Sequence, residues 1–251
     1  MQRFQDQVAI VTGASHGIGR ATAHRLANEG AAVMLAGIDF DDADRQARAI
    51  VEAGGRATAA SVDVTDRGQV EAMLALALER YHRVDVLCNI AGVAFVEHFL
   101  EATDEKWQQS LDINLTGVFL CAQVVARHMV EARIEGRIVN LASTNGLVGE
   151  AELAAYNAAK FGVVGLTMTM AIDLAPYKIR VNSVCPGLIK TRLTESARMN
   201  PQWVADYLKK IPLNRFGEPE EVAAAVAYLA STDSGFITGH QLVIDGGQLT
   251  F

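Results

Sequence analysis

Short apolar runs alternate along the chain with longer stretches in which apolar residues recur every three or four positions. Continuous apolar runs bounded by glycine or polar residues are typical of buried strands, and the longer spacing is typical of amphipathic helices. The runs predict strands at residues 8–11, 31–37, 56–62, 84–88, 136–142, 179–184 and 242–244. The periodic stretches predict helices at residues 18–29, 41–52, 66–80, 103–130, 155–174 and 220–229.

This alternation of strands and helices predicts the fold class. Strands that are apolar throughout are buried on both faces, as in a parallel sheet covered by crossover helices. We therefore expect an α/β, doubly wound Rossmann fold, with a mainly parallel sheet and helices on both faces. No repeat, low-complexity tract or linker-like stretch interrupts the 251 residues, so the prediction is a single domain over residues 1–251.

Composition and charge narrow the range of functions. Hydrophobic residues make up 50% of the chain and charged residues 20%, which is enough apolar material for a well-filled core. The formal net charge of −7 argues against a nucleic-acid partner, because phosphate binding needs clustered cations. No uninterrupted apolar run reaches membrane-spanning length and no apolar signal region is seen, so we expect no membrane association.

The three cysteines, Cys88, Cys121 and Cys185, lie far apart in the sequence and lack the spacing of metal ligands. We expect them to be reduced thiols in the core. The prediction is a cytoplasmic protein without a metal site.

A glycine-rich turn joins the first predicted strand to the first predicted helix. Gly13 permits the turn, Gly17 lets the backbone approach a pyrophosphate, and Gly19 allows the helix to pack against the sheet. A helix start also offers free N–H groups to an anion. Ordinary loops carry the same spacing by chance, and the position between strand and helix is what favours a dinucleotide site. The predicted contacts are Gly13, Ser15, His16, Gly17, Ile18 and Gly19.

Tyr156 and Lys160 lie one helical turn apart on the same face of a predicted helix. A nearby ammonium favours the phenolate and should lower the pKa of the tyrosine, as a general acid or base requires. Ser143 follows a predicted strand and lies at the carboxyl edge of the sheet, where its hydroxyl can hold a substrate oxygen. A surface Tyr–Lys pair without catalytic function is the alternative.

With these motifs the chain resembles the classical short-chain dehydrogenases/reductases over almost its whole length, from about Asp6 to Gly247. The further matching positions, in the order and at the spacing typical of the family, are Asp63, Val64, Asn89, Ala91, Gly92, Asn114, Asn182 and the run from Pro186 to Thr191. The resemblance implies that Tyr156 exchanges a proton with the substrate oxygen and that Ser143 positions that oxygen. It further implies that Lys160 binds the nicotinamide ribose, and that Asn114 holds a water linking Lys160 to solvent.

The resemblance also implies the cofactor contacts. Asp63 and Val64 would contact the adenine, and Asn89, Ala91 and Gly92 would line the cleft. The residues bordering the nicotinamide would be Pro186, Gly187, Ile189 and Thr191. Ile90 stands where the family commonly has a second Asn, and we expect a local change in packing without loss of cofactor binding. Members of the family form homotetramers, which the apolar helices at residues 103–130 and 155–174 would mediate.

The choice between NAD and NADP depends on the end of the second predicted strand. NAD-specific relatives usually carry an acid there, but this chain has Gly37, and the basic residue typical of NADP-preferring relatives is missing at Ile38. Acidic residues, including Asp39, crowd the region and would repel a 2′-phosphate, which favours NAD. The same acids suit a solvated helix start. A protonated His16 would allow NADP, which therefore remains the alternative cofactor.

Two residues are candidate substrate contacts. Glu150 and Asn145 lie close to Tyr156 and Ser143 in the sequence, and a carboxylate at position 150 would accept hydrogen bonds from hydroxyls and repel acidic substrates. This favours a secondary alcohol or ketone of polyol or sugar-like type, unless Glu150 points to solvent. The polar stretch at residues 188–212 is predicted to be a substrate lid. Alternatives are a 3-oxoacyl ketoreductase and a dinucleotide-sensing regulator without catalysis; the retained Ser143, Tyr156 and Lys160 favour an enzyme.

Overall fold

The structure is a computed structural model that describes residues 2–250. Its core is one seven-stranded sheet in the order β3-β2-β1-β4-β5-β6-β7, and all six neighbouring pairs are parallel. The strands are β1 (Val8–Thr12), β2 (Ala32–Gly37), β3 (Arg56–Ser61), β4 (Val86–Asn89), β5 (Arg137–Leu141), β6 (Arg180–Pro186) and β7 (Gln241–Ile244). The predicted doubly wound α/β fold is confirmed, and each predicted strand is present with slightly shifted ends.

Nine α-helices lie among the described residues. They are α1 (Gly17–Asn28), α2 (Phe40–Glu52), α3 (Arg67–Tyr81), α4 (Asp104–Leu111), α5 (Gly117–Glu131), α6 (Ala154–Leu174), α7 (Glu195–Arg198), α8 (Pro201–Leu208) and α9 (Pro219–Ala230). Successive strand residues point to opposite faces. Accordingly Ala9 and Val11 pack in one apolar cluster with α1 and α9, whereas Ile10 packs in a second cluster with α3 and α5. Both faces of the sheet are therefore covered.

The long helix predicted at residues 103–130 is interrupted. A single π-helical turn, Asp112–Thr116, separates α4 from α5. Such turns insert an extra residue into a helix and are frequent at functional sites. Gly117 begins α5 where a Cβ atom would lie 2.7 Å from a methyl group of Val64, so glycine allows this helix to approach the β3–α3 connection. Two short helices, α7 and α8, occupy the segment predicted to be a polar lid.

Two helical stretches, Asp104–Glu131 and Ala154–Tyr177, are long and apolar enough to cross a membrane by length and composition. We expected no segment long and apolar enough to span a membrane, and this expectation is corrected. No uninterrupted apolar run of that length is present in the sequence, but the mean hydropathy of these two helices is high. Within the most apolar windows, 56% of the first stretch and 33% of the second are buried in the fold. Core helices pass the same test, so the finding is weak evidence for a membrane.

Candidate active site

The strands β1, β4, β5 and β6 all end at one edge of the sheet, where their following loops meet. Thr12, the last residue of β1, is buried, and its hydroxyl accepts hydrogen bonds from the backbone N–H groups of Ile90 (2.9 Å) and Ala91 (3.2 Å). This side chain ties the loop after β4 to the glycine-rich turn. Sequence reasoning missed its role, although Thr12 opens the motif.

The three glycines of the turn are required by close contacts. Gly13 has φ +64°, and a Cβ atom there would lie 2.8 Å from the Cα atom of Ala91. Gly17 has φ +50° and lies against Thr191, whose methyl carbon would be 3.1 Å from a Cβ atom. A Cβ atom on Gly19 would collide with the carbonyl oxygen of Gly13 at 2.1 Å, as predicted for helix packing. The turn, the β4 loop and the segment after β6 thus enclose one cleft at the start of α1.

Some predicted cofactor residues point into the protein. Ile189 is buried in the core, and Ile18 and Ala91 pack against core clusters, so mainly their backbone groups can face a ligand. Val64 is buried, and the Asp63 carboxylate accepts hydrogen bonds from the N–H (2.9 Å) and hydroxyl (2.7 Å) of Thr65. Pro186 is the last residue of β6, and the N–H of the following Gly187 donates to the carbonyl oxygen of Ile244 at 3.0 Å.

Asn89 lies at the floor of the cleft. Its Nδ2 donates to Oδ1 of Asn140 at 2.9 Å, and Nδ2 of Asn140 donates to the hydroxyl of Thr167 at 2.9 Å. Oδ1 of Asn89 is buried and has no hydrogen-bond partner among residues 2–250. The neighbouring Ile90 is buried in the apolar cluster, and the expected packing change at this position stays a prediction. Asn89 therefore keeps a free acceptor beside the cleft.

Ser143, Tyr156 and Lys160 converge above the carboxyl ends of β4 and β5. The Lys160 Nζ atom is 5.5 Å from the centre of the Tyr156 ring, and it donates to the carbonyl oxygen of Leu141 at 2.7 Å. The turn that carries Ser143 packs closely on α6 because Gly146 has no side chain; a Cβ atom there would lie 2.7 Å from the carbonyl oxygen of Lys160. No motif in the sequence pointed to Gly146.

The pKa values of this pair correct one sequence-based expectation. Burial raises the pKa of Tyr156 to about 12, although a hydrogen bond with Ser143 acts in the opposite direction; the charge of Glu150 adds to the increase. Burial lowers the pKa of Lys160 to about 8. We expected Lys160 to lower the tyrosine pKa. In the structure burial is the largest cause, because it penalises the charged form of both side chains, and Lys160 is not among the groups that shift the tyrosine pKa.

Asn114 lies in the π-helical turn and is fully buried. Its Nδ2 donates to the carbonyl oxygens of Val93 and Ser110, both at 2.9 Å, and its Oδ1 accepts from the N–H of Val93 at 3.1 Å. Gly92 has no side chain, and a Cβ atom there would lie 2.7 Å from Oδ1 of Asn114 and 3.8 Å from Nζ of Lys160. Asn114 thus holds the backbone after Gly92 next to Lys160; its link to a water stays a prediction.

Asn145 and Glu150 form a polar network beside the catalytic candidates. The backbone N–H of Asn145 donates to the Ser143 hydroxyl at 3.1 Å, and its Nδ2 donates to Oε2 of Glu150 (3.2 Å) and Oδ1 of Asn157 (2.8 Å). Glu150 is half-buried, and its charge raises the pKa of Tyr156 as well as that of Tyr207. The carboxylate of Glu150 therefore contacts the loop that carries Ser143, and its contact with a substrate stays a prediction.

The segment after β6 folds over this network. Trp203, Tyr207 and Phe216 form an aromatic cluster, with ring centres of Trp203 and Tyr207 4.7 Å apart. Gln248 donates from Nε2 to the Tyr207 hydroxyl at 3.2 Å. Burial, followed by the charge of Glu150, raises the pKa of Tyr207 to about 12. The helix α8 is thus connected to both the catalytic loop and the C-terminal part of the chain.

Near the end of β2, cationic side chains are paired with carboxylates of α2. Nε2 of His16 lies 2.6 Å from Oδ2 of Asp42, and Arg45 forms an ion pair with the same carboxylate. The ligand atoms of His16, Asp39 and Asp42 all lie within 4.8 Å of one another, a spacing that a metal ion also accepts. The guanidinium of Arg45 in the same place makes a further cation unfavourable.

Comparison with known proteins identifies the family. A family model described as enoyl-(acyl carrier protein) reductase matches residues 13–248. A solved short-chain type dehydrogenase/reductase from Mycobacterium marinum has a TM-score of 0.94 and 39% identity, covering 98% of this chain and 96% of that chain. The chain belongs to the classical short-chain dehydrogenase/reductase family.

The proteins similar to this dehydrogenase/reductase are named for several different substrates. A 3-oxoacyl-[acyl-carrier-protein] reductase from Synechocystis sp. is 40% identical, with both chains covered completely (100%). A meso-2,3-butanediol dehydrogenase from Serratia marcescens is 41% identical, over 98% of this chain and 95% of the relative. An NAD-dependent glycerol dehydrogenase from Listeria innocua is 40% identical, over 96% and 93%. The protein is an oxidoreductase that moves a hydride between a nicotinamide cofactor and an alcohol or ketone.

The residues present fit a nicotinamide dinucleotide. Gly13, Gly17 and Gly92 let the segments around the cleft approach one another closely, and Oδ1 of Asn89 is a buried acceptor without a partner in the described chain. The first N–H groups of α1 have no intrahelical partners, as at the helix starts that bind phosphate groups. Both the backbone shape and the donor set suit a pyrophosphate.

Proposed function

We propose that this enzyme oxidises secondary alcohols carrying a further hydroxyl group, such as diols, polyols or sugar-like compounds, and reduces the matching ketones, with NAD as its cofactor. The observation that carries the substrate class is the half-buried carboxylate of Glu150 beside Tyr156. A carboxylate offers several acceptor sites, so the single bond from Asn145 leaves capacity for a substrate hydroxyl. The negative charge would repel substrates that carry a carboxylate.

We assign the proton transfer to Tyr156. Since burial keeps its pKa near 12, the phenol is protonated at neutral pH and ready to donate to a carbonyl oxygen. Ser143 positions the same oxygen, and Lys160 holds the dinucleotide and passes protons through the region of Asn114. The bound nicotinamide supplies or accepts the hydride. The segment at residues 188–212 acts as the lid that excludes water.

The cofactor assignment rests on charge. The side chains of Asp39 and Asp42 lie around His16, and the cations of α2 are engaged, Arg45 with Asp42 and Arg48 with Asp44 at 2.6 Å. A 2′-phosphate carries roughly two negative charges and would meet net repulsion there. The relative named as NAD-dependent points in the same direction.

A 3-oxoacyl reductase is the second candidate, favoured by the Synechocystis relative. An enzyme that docks an acidic acyl carrier needs free cations near the cleft entrance. In the lid and the segment after it, Lys190 pairs with Glu218, Lys209 with Asp206 and Arg215 with Glu221. These pairs neutralise three of the six Lys and Arg residues at positions 188–215, and the net charge of −7 disfavours an acidic carrier, so the hydroxylated small substrate is the better match.

A second copy of the chain is the proposed partner, in a cytoplasmic homotetramer. An apolar groove of about 470 Å³ lies between α5 and α6. Phe119 and Met170 line it, and the neighbouring Ile172 is 74% exposed. Apolar helix faces of this kind are typical of interfaces between subunits, and covering them would explain the high hydropathy of these two helices.

The proposed function is tested by a substrate screen. Initial rates are measured at the nicotinamide absorbance with mono-alcohols, vicinal diols, polyols and a 3-oxoacyl thioester, each with NAD and NADP. We expect the highest kcat/KM for a diol or polyol with NAD. Faster turnover of the thioester with NADPH would refute the proposal in favour of the second candidate. A protein that binds dinucleotide but converts none of these compounds would refute both.

Replacement of Glu150 by Gln tests the substrate contact. Charge-assisted hydrogen bonds contribute about 1.5–3 kcal/mol, so kcat/KM for a diol should fall about 10- to 100-fold. The rate with a matched mono-alcohol and the affinity for dinucleotide should change little. The control is Glu152→Gln, because Glu152 is exposed and only two residues away. Equal losses on diol and mono-alcohol would instead mean that Glu150 acts through Asn145 on Ser143.

A further inference from the structure

His16 lies at the mouth of the glycine-rich turn and is held by α2. Its Nε2 atom is 2.6 Å from Oδ2 of Asp42, and its Nδ1 atom is 3.4 Å from a guanidinium nitrogen of Arg192. A guanidinium only donates hydrogen bonds, so in this arrangement Nδ1 accepts and the hydrogen is carried by Nε2, which donates to Asp42. The imidazole is engaged on both sides.

The same carboxylate engages a second cation. Asp42 also forms an ion pair with Arg45, three residues later on α2. Desolvation raises the pKa of Asp42, but the hydrogen bond and the charge of Arg45 outweigh it and lower that pKa. The carboxylate is therefore ionised at neutral pH, and both groups that would meet a 2′-phosphate are already occupied.

The usual position for cofactor selection contributes no side chain in this enzyme. Gly37 ends β2, and a Cβ atom there would lie 3.1 Å from the Ser15 hydroxyl, which donates to the carbonyl oxygen of Asp39 at 3.1 Å. The carboxylate of Asp39 is 57% exposed and 3.8 Å from Nδ1 of His16. Asp42 is the less exposed of the two, at 22%, and has the shorter contact with His16.

We propose that Asp42 is the residue that selects NAD over NADP, by placing a negative charge at the 2′ position and by engaging His16 and Arg45. The inference rests on the proposed NAD-dependent function and deepens it. A 2′-phosphate would have to displace the carboxylate from both partners while bringing like charges together. The ribose hydroxyls of NAD carry no charge and meet no such repulsion.

The test is binding of fragments that isolate the 2′ position. Dissociation constants of 5′-AMP, 2′,5′-ADP, NAD and NADP are measured by calorimetry on the wild-type enzyme and on Asp42→Asn. Asp42→Asn removes one negative charge and releases His16 and Arg45, so the dissociation constants of 2′,5′-ADP and NADP should fall about tenfold or more. Binding of 5′-AMP and NAD should stay within about twofold, as for a surface substitution.

Asp44→Asn is the matched control. Asp44 is a half-buried acid on the same helix, its side chain is 30% exposed, and it pairs with Arg48 at 2.6 Å as Asp42 pairs with Arg45. The control should leave the ratio of the NAD and NADP dissociation constants unchanged. The triple variant Asp42→Asn, His16→Ala, Arg45→Ala separates the two contributions. The part of the gain for 2′,5′-ADP that comes from the released His16 and Arg45 should be lost, and the part that comes from the removed repulsion should remain.

Two results would overturn the role of Asp42: an unchanged ratio in Asp42→Asn, or an equal gain in Asp44→Asn. These outcomes are independent of the proposed function. A protein with the expected shift in binding but no alcohol oxidation would refute the function and leave the inference intact. An active NAD-dependent enzyme with an unchanged ratio would refute the inference alone.

Discussion

Replacement of Tyr156 by Phe is expected to reduce kcat to near the detection limit while dinucleotide binding stays close to wild type. The substitution removes only the hydroxyl that exchanges the proton, and a general acid or base contributes about 10²–10⁴-fold to the rate. A sole proton donor belongs at the upper end of that range. Steady-state rates in both directions, together with calorimetric dissociation constants for NAD, measure the two effects separately.

The pH dependence of the wild-type enzyme sharpens this test. Alcohol oxidation requires the deprotonated form of Tyr156. Because the pKa of Tyr156 is about 12, the fraction of enzyme with a deprotonated Tyr156 increases with pH across the neutral range. The oxidation rate should therefore rise with pH, and the residual rate of Tyr156→Phe should not. The control is Tyr228→Phe, which alters a partly exposed tyrosine of α9. More than a tenth of wild-type activity in Tyr156→Phe would contradict the assignment.

Replacement of Lys160 by Met should have opposite effects on function and stability. Rate and dinucleotide affinity should each fall by about 10²-fold, because the lost ammonium makes charge-assisted hydrogen bonds and supports proton transfer. The free energy of unfolding should rise, because Lys160 is 2% exposed and its charged form is costly to bury. Methionine has similar length and lacks the charge.

The size of the stability effect follows from the pKa of Lys160, which burial lowers from 10.5 to about 8. Between these values the unfolded chain binds more protons than the folded chain, so stability rises with pH there; below pH 8 the full cost remains. That cost corresponds to about 3 kcal/mol. At pH 7 the free energy of unfolding of Lys160→Met should exceed that of the wild type by about this amount. The increase in stability that the wild type shows between pH 8 and pH 10.5 should be absent in the variant.

Urea unfolding at both ends of that pH range measures the effect. Lys178→Met is the control: Lys178 is exposed and pairs with Glu135 at 2.6 Å, so its removal should leave the stability almost unchanged. A lower free energy of unfolding in Lys160→Met, or the same dependence of that free energy on pH as in the wild type, would contradict the prediction. Either result would show that water or the carbonyl oxygen of Leu141 offsets the cost of burying the ammonium.

The sequence by itself determined the architecture of the protein and the location of its site. The apolar runs of strand length alternate with predicted amphipathic helices. Because strands that are apolar throughout must be buried on both faces, this alternation predicts a doubly wound sheet with helices on both sides. The glycines at positions 13, 17 and 19 and the pair Tyr156 and Lys160 are local patterns, in which spacing along the chain already sets spacing in space. Their order along the chain was enough to predict the family.

The tertiary structure alone decided the properties that depend on residues distant in sequence. Asn114, in the π-helical turn, accepts a hydrogen bond from the backbone N–H of Val93, and hydrophobic periodicity does not predict that contact. The pKa values of Tyr156 and Lys160 follow from burial by several elements, which reversed the expectation drawn from two neighbours on one helix. The orientation of Glu150 and the pairing of His16 with Asp42 likewise arise where separate segments meet. Burial and ion pairing depend on all atoms near a group in space, and only the folded chain brings those atoms together.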